Sequence, residues 1–219
     1  MGPEGPDAGL LLDRAAELGA IAAAVDGACS GSGSGLLVEG VAGIGKTRLL
    51  AHACEQAARA GMKVLTARAA EFEDGYAWGV VRQLFEADVR AGGGQQLPDD
   101  AAALAARALT GGAEGGAEDS FAVLHGLYWL TADIGQQRPL LLAVDDLHWA
   151  DQPSQRFIAY LVRRLDGLAV LLALTVREPR SGTARDKALT AGLAMETSVI
   201  TLRPAALSAA PAGTWCAAR

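Results

Sequence analysis

Residues 36–50 read LLVEGVAGIGKTRLL, and they constrain the fold more than any other stretch of the chain. A short apolar run ends at Gly40, and Gly45, Lys46 and Thr47 then complete the pattern G-x-x-x-x-G-K-[ST]. An amphipathic helix is predicted to begin at Lys46. The order strand, glycine-rich loop, helix is typical of a phosphate-binding P-loop in a parallel α/β sheet.

The loop residues fit the chemistry of a bound triphosphate. We expect the amides from Gly43 to Thr47 to point into one concavity at a helix N-terminus, where the partial positive charge attracts phosphate. Lys46 is predicted to reach the β- and γ-phosphates, and the Thr47 hydroxyl to coordinate Mg²⁺. The predicted nucleotide-binding residues here are Gly40, Gly43, Ile44, Gly45, Lys46, Thr47 and Arg48. The alternative for the loop is a glycine-rich turn followed by an ordinary helix. The alternative for Arg48 is that its side chain is simply exposed to solvent.

A second and independent signal is LLLAVDD at 140–146. Asp145 follows a buried apolar run, at the end of a strand where α/β sheets bind ligands. This pattern fits a Walker B motif in which Asp145 holds Mg²⁺. Because adjacent strand residues point to opposite faces, Asp146 is predicted to do a different job, the polarisation of the attacking water. The alternative is that both carboxylates end the strand or cap the next helix.

Two further stretches lie beside these motifs. Arg177 ends the apolar run LALTVR, and an arginine at that end of a parallel strand is expected to sense the γ-phosphate. A surface arginine is the alternative. In HWADQPS, Asp151 is predicted to be a helix N-cap with Pro153 in the first turn. His148 and Trp149 are expected to pack or hydrogen-bond locally.

Composition narrows the class of protein. The 219 residues are 51% hydrophobic and carry a formal net charge of −6, so direct nucleic-acid binding is not expected. The three cysteines are widely separated, which argues against a disulfide framework or a zinc site. The start has no signal-peptide pattern, and the longest apolar run, 168–176, is too short to span a bilayer. We therefore expect a cytoplasmic protein without a membrane partner.

The apolar runs alternate with helical patterns along the chain. Strands are predicted at 36–40, 63–69, 139–146, 168–176 and 198–202. Helices are predicted at 13–28, 46–60, 77–89, 121–134 and 152–166, with a short alanine-rich helix between glycine-rich loops at 91–98 and 111–119. Continuous apolar strands indicate a parallel sheet covered on both faces. The predicted division is a disordered N-terminus (1–12), one α/β domain (13–204) and an irregular tail (205–219).

Six segments carry a family resemblance. They are LLDRAAELGAI, VEGVAGIGKTRLL, WGVVRQLFE, LHGLYWLTADI, RPLLLAVDDLHWADQPSQRFIAYLVRRL and ITLRP. In this order they resemble the N-terminal ATPase domain of the large ATP-binding LuxR-type transcriptional regulators, which belong to the STAND class of AAA-like signalling ATPases. The resemblance covers roughly residues 10–207. It implies a three-layer P-loop NTPase with a mainly parallel five-stranded sheet in the order 5-1-4-3-2.

The resemblance also implies a ligand and a role. It implies Mg-ATP bound by Gly43–Thr47, Asp145 and a sensor-like Arg177, with Arg14 near the adenine. In such proteins ADP maintains a closed form, exchange for ATP permits self-association, and slow hydrolysis resets the switch. Family members continue into further domains, whereas LSAAPAGTWCAAR at 207–219 does not resemble that continuation. The chain is therefore expected to be truncated and to lack its own DNA-binding domain.

Two other functions stay open at this stage. The chain could be a stand-alone ATPase or a small-molecule kinase, or a non-catalytic relic that serves as an interaction module. Whether it is an enzyme is not decided by the sequence, and any ATP hydrolysis is expected to be slow. The expected partners are ATP and protein, either another copy or a different chain.

Overall fold

The computed structural model describes residues 14–71, 76–90, 99–110, 117–178 and 184–205. The strands are β1 (Ser34–Gly40), β2 (Lys63–Arg68), β3 (Leu140–Asp145), β4 (Val170–Arg177) and β5 (Val199–Leu202). The helices are α1 (Ala15–Cys29), α2 (Lys46–Arg59), α3 (Gly79–Arg90), α4 (Asp99–Thr110), α5 (Ala117–Gln137), α6 (Gln152–Val162) and α7 (Ala184–Ala194). None of these described helices is long and apolar enough to cross a membrane.

The five strands form one parallel sheet in the order β2-β3-β4-β1-β5. The P-loop strand β1 therefore lies between β4 and β5, and the predicted order 5-1-4-3-2 is confirmed. Because all the strands run in one direction, their C-terminal ends meet at one edge of the sheet. That edge carries Gly40 from β1, Asp145 from β3 and Arg177 from β4.

Side-chain alternation along the strands builds a core on each face of the sheet. In β3, Leu140, Leu142 and Val144 join the core that includes side chains of α3, α5 and α6. Leu141 and Ala143 point the other way and pack in the core with α1 and α2. This two-sided burial explains why the strand sequences are continuous apolar runs, and it produces the predicted three-layer arrangement.

The structure corrects several element boundaries. Helix α1 begins at Ala15, and Asp13, the first residue of the predicted helix 13–28, lies outside the described residues, as do 1–12 and 206–219. Trp78, which the helical spacing placed inside a helix, precedes α3 with φ +65° and is buried there. Helix α6 ends at Val162, four residues before the predicted end. Helix α7 was not predicted, because its sequence ARDKALTAGLA carries no apolar stripe.

Candidate functional site

The P-loop backbone requires glycine at specific positions. Gly43 and Gly45 have φ values of +78° and +101°, which side-chain-bearing residues rarely adopt. A Cβ atom on Gly40 would lie 2.8 Å from Cγ2 of Ile44. The pattern of glycines in the sequence is therefore explained by backbone angles and by close approach within the loop.

The loop surrounds a cavity of about 310 Å³ at the N-terminus of α2. Its lining residues are Ala42, Gly43, Gly45, Lys46, Thr47, Arg48, Asp146 and Arg177. The structure thus brings together most of the residues that the sequence singled out, including two that lie about 100 and 130 positions beyond the P-loop. Three cationic side chains and the positive end of α2 make this cavity suited to an anion.

Lys46 lies against the loop that precedes it. Its side chain is 7% exposed, and its Nζ atom donates hydrogen bonds to the carbonyl oxygens of Gly40 and Val41, both at 3.0 Å. Burial lowers the pKa of the Lys46 ammonium, and Arg177 acts in the same direction, whereas Asp146 opposes them. The lysine is therefore a desolvated cation that an anionic ligand would stabilise.

Two hydroxyl groups hold the carboxylate of Asp145, and that of Thr47 lies within reach of both of its oxygens. The Thr47 hydroxyl donates to its Oδ2 atom at 3.0 Å, and the Thr175 hydroxyl donates to Oδ1 at 2.7 Å. The side chain of Asp145 is 7% exposed. Thr175 also accepts a hydrogen bond from the backbone amide of Asp146 at 2.8 Å. Sequence reasoning did not single out Thr175, although its place in the LALTVR strand could have pointed to it.

The backbone of Asp146 separates its side chain from that of Asp145, but not by the strand alternation that was predicted. It does not continue the strand to the opposite face, because β3 ends at Asp145 and Asp146 adopts φ +54° and ψ +44°. A short 3₁₀ turn, Leu147–Trp149, follows directly. A non-glycine residue in this region costs about 1–3 kcal/mol, and such strain is common at functional sites. The turn places Asp146 at the cavity.

Two arginines flank the acidic pair at the edge of the sheet. Arg177 lies at the cavity, and its guanidinium is 5.8 Å from the centre of the Trp149 ring. Arg68 ends β2 beside Asp145, with 3.9 Å between its Nε atom and Oδ2 of Asp145. Arg68 was not predicted as a site residue, because the register that places it opposite Asp145 does not follow from the predicted strand order alone.

Residues 11 to 173 match the family model described as the AAA ATPase domain. The chain belongs to the AAA ATPase domain family. This match covers about three quarters of the sequence and agrees with the parallel sheet and with the P-loop at its edge. No curated protein matches the sequence.

Three solved structures are similar to this AAA ATPase domain at low sequence identity, and the first two share its fold. The ORC2 protein of Aeropyrum pernix, in ADPNP–ADP complexes, has a TM-score of 0.53 and 15% identity, over 90% of this chain and 50% of that chain. The E. coli MS115-1 HORMA:CdnC:Trip13 complex has a TM-score of 0.51 and 8% identity, over 89% of this chain and 63% of that chain. A STAND protein with a tetratricopeptide repeat sensor from Pyrococcus horikoshii has a TM-score of 0.45 and 15% identity, over 91% of this chain and 24% of that chain. The chain thus spans half of the ORC2 chain.

A second cavity lies on the other side of the P-loop of this AAA ATPase domain. It measures about 290 Å³ and is lined by Glu39, Gly40, Val41, Ile44, Glu178, Arg203 and Pro204. Arg14, at the N-terminus of α1, contacts the P-loop, because its Nη2 atom donates to the carbonyl oxygen of Ile44 at 3.2 Å. Arg14 is 4% exposed and also pairs with Glu17.

His148 lies in the 3₁₀ turn, behind Asp146. Within the described part of the chain, neither of its buried ring nitrogens has a hydrogen-bond partner. Burial lowers the pKa of its imidazole, and the charge of Arg177 acts in the same direction, while Asp146 opposes them. His148 also packs against Trp149, with 5.0 Å between ring centres. Of the two predicted local roles of His148, packing is therefore observed, and side-chain hydrogen bonding is not observed within the described residues.

Asp151 is the N-cap of α6, as predicted, and Pro153 lies in the first turn. Its Oδ1 atom accepts from the amide of Ser154 at 2.9 Å and from the amide of Trp78 at 2.8 Å. The second oxygen accepts from the amide of Val80 at 3.4 Å. One carboxylate therefore caps both α3 and α6, and its role in the AAA ATPase domain is to join two helices.

Proposed function

We propose that this AAA ATPase domain binds Mg-ATP and acts as the nucleotide switch of a LuxR-type transcriptional regulator of the STAND class. The observation that supports this most strongly is the convergence of Lys46, Asp146 and Arg177 on the cavity above the P-loop. Such a set of groups can hold a phosphate chain, orient a water and respond to a terminal phosphate.

The phosphates are proposed to occupy the cavity at the N-terminus of α2. Amides of the loop and the Lys46 ammonium would bind them, since charge-assisted hydrogen bonds to phosphate are strong. Thr47 and Asp145 would hold Mg²⁺. Thr47 lines the cavity, its hydroxyl oxygen lies 3.0 Å from Oδ2 of the buried Asp145, and oxygen donors are the ligands that Mg²⁺ prefers. Bound there, Mg²⁺ would neutralise charge on the β- and γ-phosphates.

The nucleoside is proposed to lie on the side of the second cavity. That cavity shares Gly40, Val41 and Ile44 with the P-loop, so it adjoins the proposed phosphate site. Val41 and Ile44 offer apolar surface to a base. Arg14 would act there by holding the Ile44 carbonyl, and Arg48 would contribute at the phosphate side, where it lines the first cavity.

For the proposed switch, a chain of contacts links the phosphate site to two helices. Arg177 is the proposed sensor of the γ-phosphate, and its guanidinium rests over Trp149. Trp149 lies in the turn that leads to Asp151, where α3 and α6 are joined. A hydrogen bond from Arg177 to a γ-phosphate would therefore affect the positions of these two helices. Asp146 is proposed to orient the water for a slow hydrolysis that resets the switch.

Calorimetric titration of the chain with Mg-ATP and Mg-ADP tests the proposal. We expect one binding site for each nucleotide and a turnover well below the roughly 1–100 s⁻¹ of kinases. Turnover that rises strongly with a small-molecule acceptor would instead support a kinase. A folded chain that binds neither nucleotide would refute the proposal and favour a non-catalytic relic.

Replacement of Arg177 by glutamine tests the sensor role. The variant is expected to lose about tenfold in affinity for Mg-ATP, because a charged hydrogen bond to the γ-phosphate is removed. Its affinity for Mg-ADP should change less than threefold. Arg164→Gln, which removes an exposed arginine stacked on Tyr160, is the matched control. Equal losses for ATP and ADP in Arg177→Gln would contradict a γ-phosphate sensor.

A further inference from the structure

Thr175 connects the two acidic residues of the site through a single hydroxyl group. The oxygen donates its proton to Oδ1 of Asp145 at 2.7 Å and accepts the backbone N–H of Asp146 at 2.8 Å. Thr175 has no exposed surface. Both of its hydrogen bonds therefore go to the proposed Mg²⁺ ligand and to the residue that is proposed to orient water.

The place of Thr175 in β4 favours a role beyond packing. Leu171 and Ala173 point into the core on the α1 and α2 face, and by strand alternation Thr175 points to the same side. The pairing of β3 with β4 proceeds step by step to Val144 and Leu174, so Thr175 comes beside Asp145. A valine would fill the same space and would bury no polar group. The threonine hydroxyl, in contrast, makes both a donated and an accepted hydrogen bond.

Thr175 and Thr47 act on the same carboxylate in different ways. Thr47 is exposed at the cavity, lies in the P-loop and is itself a proposed metal ligand. Thr175 lies on a buried central strand and lines neither of the two cavities described above. Because Thr175 belongs to a central strand and not to the P-loop, we expect its hydrogen bond to Asp145 to persist if the loop changes on ligand binding.

We infer that Thr175 is a positioning residue that holds Asp145 in the orientation for Mg²⁺ and Asp146 in its left-handed backbone conformation. The inference rests on the proposed function, since it concerns the same site. Its consequence is that the benefit of Mg²⁺ for nucleotide binding depends on a hydroxyl that touches neither the nucleotide nor the metal.

The test compares Thr175→Val with Thr175→Ser by calorimetric titration of ATP, with Mg²⁺ and with EDTA. Thr175→Val is expected to bind ATP in EDTA within twofold of the wild type, while the gain in affinity on adding Mg²⁺ falls about tenfold. Thr175→Ser, which keeps the hydroxyl, should restore most of that gain. Thr66→Val, on the exposed side of β2, is the control and should behave as the wild type.

The outcomes separate this inference from the proposed function. A wild-type chain that binds no ATP refutes the function and the inference with it. A wild-type chain that binds ATP with a Mg²⁺-dependent gain, beside a Thr175→Val variant with the same gain, refutes the inference alone. If the valine and serine variants lost the Mg²⁺-dependent gain in ATP affinity equally, the inference would also be overturned. The packing of the threonine side chain, and not its hydroxyl, would then account for the gain. If Thr175→Val does not fold, the serine variant decides, and loss of the gain there refutes the inference.

Discussion

Replacement of Lys46 by alanine is expected to lower the affinity for Mg-ATP by about 100-fold or more. The lysine is the desolvated cation of the phosphate cavity, and its ammonium would exchange two carbonyl acceptors for phosphate oxygens. Two charge-assisted hydrogen bonds of about 1.5–3 kcal/mol each account for such a loss, at about 1.4 kcal/mol per tenfold. Calorimetric titration of both proteins measures it.

The same substitution should leave the free energy of unfolding within about 1 kcal/mol of the wild type. Burial penalises the charged form of Lys46, as the direction of its pKa shows, and this penalty offsets the two hydrogen bonds that are lost. Arg59→Ala removes an exposed positive charge at the far end of α2 and is the matched control for net charge. A folded Lys46→Ala chain that binds Mg-ATP within threefold of the wild type would contradict the assignment of the phosphate site.

The local part of the site could be predicted from sequence, because its residues are neighbours along the chain. Gly43, Gly45, Lys46 and Thr47 form one loop, and the loop's backbone angles follow from its glycines. The strands could be predicted too, because burial on both faces leaves continuous apolar runs. Their order in the sheet came from the family resemblance, since apolar runs alone do not determine which strands are neighbours.

The non-local part was not predicted, because it depends on the register of the strand pairs, which the predicted strand order alone does not give. Arg68 reaches Asp145 only because β2 pairs with β3, and Thr175 reaches it only because β3 pairs with β4. The left-handed backbone of Asp146 follows from the turn after β3 and from the hydrogen bond to Thr175. With the strand order known, alternation along LALTVR places Thr175 and Arg177 on the face of Asp145.

Replacement of Asp151 by alanine is expected to lower the free energy of unfolding by about 3–5 kcal/mol. Asp151 is 2% exposed, and its carboxylate accepts amide hydrogen bonds from Trp78, Val80 and Ser154. Alanine would leave these amides without an acceptor, at about 1–3 kcal/mol for each buried group, and would remove the N-cap of α6. Urea denaturation measures the change.

Two control variants separate the capping role of Asp151 from general effects of a lost charge. Asp151→Asn keeps the Oδ1 acceptor for Trp78 and Ser154 but loses the charge that favours two helix N-termini, so about half of the loss is expected. Asp166→Ala, at an exposed position after α6, should change stability by less than about 0.5 kcal/mol. If Asp151→Ala were no less stable than Asp166→Ala, the carboxylate would not be what joins α3 to α6, and the proposed route from Arg177 through Trp149 to these helices would lose its last step.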